Sequence, residues 1–105
     1  MKMEVVCWFD LLNAYIKQHY ADTGVLVICQ NDIDSVAEFN TLMNDLEKEG
    51  FAPPHQFRGS GYLIIEMEGH YAKPLIDRYA KSGRIPMAFW EKGRPAYDDF
   101  GEVRE

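Results

Sequence analysis

The chain has 105 residues, 47% of them hydrophobic and 27% charged, and a formal net charge of −6. That length suits one domain with a core that needs no staples, and the composition excludes a disordered or low-complexity chain. Two cysteines, Cys7 and Cys29, are too few for a disulfide scaffold, and the negative balance opposes nonspecific attraction to phosphate backbones.

Residues 1–105 are therefore read as a single domain. The stretch Met1 to Val6 has no long hydrophobic run followed by small residues, so no cleaved signal peptide is expected. No apolar run approaches the roughly 18 residues of a membrane span. With the thiols taken as reduced, a cytoplasmic protein is expected.

Apolar residues recur at helical spacing from Val5 through Trp8, Phe9, Leu12, Tyr15 and Ile16 to His19, with Asp10, Asn13, Lys17 and Gln18 opposite. This predicts an amphipathic helix over at least 9–20, although Val5 to Phe9 also suits a strand. Gly24 to Gln30 is a short β-branched run, expected as a strand buried on both faces. Asn31 and Asp32 are candidate N-caps for a helix over 32–49. Its inner face carries Ile33, Val36, Phe39, Met43 and Leu46, and Gly50 provides a left-handed stop.

Two prolines limit 51–58 to an edge strand or a loop. Gly59-Ser60-Gly61 marks a turn into a strand over 62–68, with Leu63, Ile65 and Met67 on one face. Pro74 suits the first turn of another helix bearing Leu75, Ile76 and Tyr79 and closed by Gly83. Ile85 to Trp90 is a last strand, and 91–105 reads as a polar tail in which Tyr97 and Phe100 can dock back. From 24 to 90 the order is strand, helix, strand, strand, helix, strand. The expected fold is therefore α+β: a ferredoxin-like βαββαβ antiparallel sheet preceded by an extra N-terminal helix.

That arrangement leaves Tyr62, Ile64 and Trp90 on the sheet face away from the two later helices. Either the N-terminal helix or a second copy of the chain, making a homodimer, would have to cover them.

Charge is unevenly spread. Residues 1–52 hold nine acids against three Lys/Arg, whereas 53–105 hold eight of each, so the whole excess lies in the first half. On the helix at 32–49, Asp34, Glu38, Asp45 and Glu49 fall at spacings of four, seven and four, forming one stripe. Amphipathic helices need a solvated face, and such a stripe also suits docking on a basic protein patch, including one that otherwise holds nucleic acid. Arg78, Lys81, Arg84, Lys92 and Arg94 cluster near the second core helix, so the surface is bipolar.

The segment Arg58-Gly59-Ser60-Gly61-Tyr62-Leu63-Ile64-Ile65 resembles the RNP1 signature of RNA-recognition motifs. It keeps the basic residue, the glycines and one aromatic. Ser60 and Ile65 stand where rings would be, Leu26 replaces the aromatic of the first strand, and Glu66 and Glu68 oppose a phosphate backbone. The resemblance implies a ligand face at Arg58, Tyr62, Ile64 and Trp90.

Signals for catalysis are sparse. Cys29 precedes a helix N-terminus, where a thiolate gains stability, but His19, His55 and His70 stand at no telling spacing to serve as its base. His55 and His70 have no third partner at metal spacing, Glu66 and Glu68 share a strand face without a motif, and G-S-G opens no helix. No cofactor, metal or catalytic residue is assigned. The reading is a small non-enzymatic protein-binding regulator, an adaptor or inhibitor, using Asp34, Glu38, Asp45 and Glu49 with Tyr97 and Phe100. The alternative is a small-ligand- or RNA-binding module using the Tyr62 face. Direct nucleic-acid and membrane binding are not expected of the leading reading.

Overall fold

A computed structural model describes residues 8–30, 36–57, 61–82 and 84–98. It is an α+β structure with three helices and a five-stranded antiparallel sheet. In chain order the elements are α1 (Trp8–His19), β1 (Gly24–Cys29), α2 (Val36–Lys48), β2 (His55–Gln56), β3 (Tyr62–Glu66), α3 (Gly69–Leu75), β4 (Met87–Glu91) and β5 (Arg94–Asp98). The sheet order is β2-β3-β1-β4-β5. No helix among the described residues is long and apolar enough to cross a membrane.

The central strand β1 is buried along its whole length. It pairs with β3 on one side, Val27 opposite Ile64, and with β4 on the other, Val27 opposite Ala88. Successive side chains point to opposite faces, so the sheet has two cores. Leu26, Ile28, Ile65, Met67, Met87 and Phe89 pack with α2 and α3. Val25, Val27, Tyr62, Ile64, Ala88 and Trp90 pack with Leu12 and Ile16 of α1. The first helix is thus the cover on the second face, and helical layers enclose the sheet.

One polar contact orients that cover. The Trp90 indole Nε1 donates to Asn13 Oδ1 at 2.8 Å, across a sequence separation of 77, while Trp90 itself is 0% exposed. A buried indole N–H needs such a partner. Periodicity alone puts Asn13 on the solvent side of α1, but the structure turns it inward to Trp90.

Two further expectations are corrected. The first concerns 91–105. Instead of a wholly polar tail, β4 runs to Glu91 and a two-residue turn returns the chain as β5. Lys92 and Gly93 both have positive φ, 53° and 79°. This is the handedness that matches the strand twist in a tight hairpin. Pro95 is tolerated because β5 is an edge. Tyr97 does pack back on the helix-side core, but as a half-buried residue of β5 and not of a polar tail.

The second correction concerns Pro74, which lies inside α3 and not in its first turn. The helix begins a turn earlier, with Tyr71 and Ala72 N–H donating to Glu68 O at 3.0 and 3.1 Å. Proline removes a donor and crowds the preceding turn. The helix beyond it widens into π geometry over Ile76–Ala80, with Lys81 N–H reaching Ile76 O at 2.9 Å. The expected N-caps Asn31 and Asp32 lie outside the described residues.

Gly24 is set by close packing. A Cβ there would stand 2.5 Å from Met67 O and 2.9 Å from the Phe89 ring, and Met67 N–H donates to Gly24 O at 3.0 Å. Urea unfolding is expected to show Gly24→Ala less stable by about 1–3 kcal/mol. Trp90→Phe should lose about 1–3 kcal/mol through the smaller ring and the unpaired Asn13 amide. Neither change should alter the dependence on urea concentration.

Candidate functional site

The C-terminal end of α2 ends in a cap that builds a surface feature. Gly50, at φ 94°, lets its N–H donate to Glu47 O at 3.1 Å, while Phe51 N–H donates to Leu46 O at 3.1 Å. These are the two bonds of a Schellman motif, whose apolar contact joins the residue after the glycine to the last inward-facing helix residue. Phe51 is therefore held as a ridge beside Leu46.

Depressions lie on both sides of that ridge. One, of about 320 Å³, is floored by Met43, Leu46 and Ile65 and walled by Pro53 and Pro54. The other, of about 380 Å³, runs toward α3 and is bordered by Tyr71, Pro74 and Leu75. Leu46 and Phe51 belong to both. The Tyr71 ring meets Phe51 edge-on with centroids 5.4 Å apart and is 47% exposed.

The acidic residues fall unevenly around this feature. Asp45 and Glu49 are exposed on the rim of the second depression, and Glu47, which the four-residue spacing does not single out, lines the first. Lys48 is the basic residue of the last turn of α2. Glu38 is drawn away toward Arg84, with its Oε2 3.2 Å from Arg84 Nη1, and helps line a separate cleft with Arg78. Asp34 and Phe100 lie outside the described residues, so of the expected stripe Asp45 and Glu49 are the pair placed together.

On the opposite side, Tyr62, Ile64 and Trp90 are buried beneath α1, and Arg58 lies outside the described residues. Tyr62 is 6% exposed within the α1-side core, so its ring is not open to a stacking base. The basic residues are partly engaged: Lys81 pairs with Asp77 at 3.0 Å, and the Arg78 guanidinium sits 5.3 Å from the Tyr79 ring centroid. Lys81 is also the chief reason that the exposed Asp77 carboxyl ionises below its ordinary value, with Lys73 adding to it.

The histidines serve different faces. His55 Nε2 lies 3.4 Å from the Tyr15 hydroxyl on the α1 side, whereas His70 approaches Glu68 at 3.4 Å on α3. Tyr15 is the hub of a ring cluster, with His19 at 4.5 Å and Phe57 at 5.1 Å between centroids. No group of three or more His, Cys, Asp or Glu side chains that could hold a metal occurs among the described residues. Cys29 is buried in the α1-side core.

Comparison with protein-family models, curated proteins and solved structures finds no match for this chain.

Two outcomes follow from this geometry. Gly50→Ala meets no steric obstacle, so its cost is the left-handed backbone alone, about 1–2 kcal/mol in thermal or urea unfolding. The Tyr20 hydroxyl is held above its usual pKa of 10.0, first by burial and then by Tyr15 and Glu66. A raised folded value means the neutral phenol is favoured. Its stabilising effect is full below pH 10.0 and is lost as pH rises through the folded value. Ultraviolet titration should show a late phenolate component that Tyr20→Phe removes.

Proposed function

We propose that this protein is a small non-enzymatic protein-binding regulator, an adaptor or inhibitor, whose acidic α2 end docks on a basic surface of its partner. The observation that carries this reading is electrostatic. Asp45 and Glu47 in the last turn of α2 and Glu49 directly after it stand against one compensating base, Lys48. That is the negative end of the helix dipole, where cations stabilise and anions do not. No ion pair with Asp45, Glu47 or Glu49 is formed among the described residues. Acids placed against the helix field and left open to solvent are suited to a cationic partner, which relieves the repulsion on binding.

A basic patch that otherwise holds nucleic acid is a suitable target, and the cytoplasm is the proposed setting. We also read the scaffold as a ferredoxin-like unit carrying two additions, α1 and β5. The order β2-β3-β1-β4, with α2 and α3 packed on one face, supports that reading.

The test is the double variant Asp45→Lys with Glu49→Lys. It is expected to abolish salt-sensitive capture of partner proteins from cell lysate while keeping, or slightly raising, the melting temperature, because it places cations at the helix C-terminus. An unchanged set of captured proteins would overturn the reading.

A further inference from the structure

We infer that the two depressions flanking Phe51 are one groove for a cationic amphipathic helix of a partner protein. The inference rests on the proposed acidic docking surface and names what fills it.

Three features select this occupant. The groove is apolar where it is deep, with Leu46, Phe51 and Leu75 along its length, and Tyr71 leaves nearly half its surface open beside them. Its rim is acidic through Asp45, Glu47 and Glu49 against Lys48, and α2 directs its negative end toward the same place. The adjoining chain, Pro53 and Pro54, supplies no N–H donors, and β2 beyond it has two residues. An added strand would find no ladder there. Recognition must come from side chains, and a helix meets that demand by placing apolar residues at i and i+3 or i+4 into the groove. One such residue would sit on each side of the Phe51 ridge, with Lys or Arg along the flanks facing the acids.

The groove owes its form to the helix cap. Gly50 turns the chain left-handed so that Phe51 folds back on Leu46, and the edge-on Tyr71 ring continues the ridge onto α3. Apolar floor and acidic rim therefore arise from one stretch of chain and from the segment packed beside it.

The experiment titrates three synthetic peptides of about four helical turns into the labelled full chain and follows amide shifts by NMR. The first has leucine on one face and lysine on the other, the second is its scrambled form, and the third has glutamate for lysine. The first is expected to move Leu46, Phe51, Tyr71 and Leu75, with no response to the other two. Tyr71→Asp should weaken the first peptide roughly tenfold, by loss of aromatic burial, although it makes the rim more acidic. Equal binding of ordered and scrambled lysine peptides, or tighter binding by Tyr71→Asp, would overturn the groove while leaving the acidic surface standing. Failure of the lysine peptide to shift the groove residues also overturns it. Equal binding of the glutamate peptide, or indifference to Asp45→Lys with Glu49→Lys, would overturn both.

Discussion

Burial of β1 on both faces is the constraint from which the rest of the structure follows. Its six residues are all buried, and its neighbours β3 and β4 carry apolar side chains on both sides as well. A sheet of that kind is stable only when both faces are covered. Two helices cover one face. The remaining one, α1, must cover the other, and the Trp90 to Asn13 hydrogen bond orients it there. Gly24 lets the start of β1 pass within contact of Met67 and Phe89, where any side chain would collide.

This distribution of burial limits where function can reside. The sheet faces are spent on packing, so the surface left for recognition is the outside and ends of the helical layers and the sheet edges β2 and β5. On that surface charge and shape coincide at the end of α2, where the cap that stops the helix also raises Phe51 between two apolar depressions. The acids beside it oppose the helix field, and the proposed docking rests on that arrangement. Across the molecule, Arg84 engages Glu38, which joins α2 to the segment after α3 and holds Glu38 apart from Asp45 and Glu49.

Much of the architecture was legible in residue order because it depends on short-range chemistry. The β-branched run 24–30 reads as a doubly buried strand, the alternation of Leu63, Ile65 and Met67 assigns a face, and Gly50 reads as a helix stop. The misreadings arose where a local preference met a larger demand. Pro74 fits a first helical turn by preference, yet α3 begins earlier and accommodates the ring by loosening into π geometry. Lys92-Gly93 lacks the Asn or Asp that marks a tight hairpin, so β5 was hidden although Gly93 carries the needed backbone freedom.

For the site, the four-residue spacing of Asp45 and Glu49 was visible, and Gly50 followed by an aromatic was a signal for the ridge that charge patterning passed over. The depressions themselves were not visible, because their walls come from α2, the proline loop and α3. By itself the sequence determined an acidic α+β chain, its two-faced central strand and the excess of acids on α2, since periodicity, caps and charge counts act between near neighbours. Only the tertiary structure decided that α1 closes the Tyr62 face and that Glu38 faces Arg84 while Asp45 and Glu49 line a depression beside Phe51. Those outcomes depend on contacts between residues far apart in the chain, which no local pattern encodes.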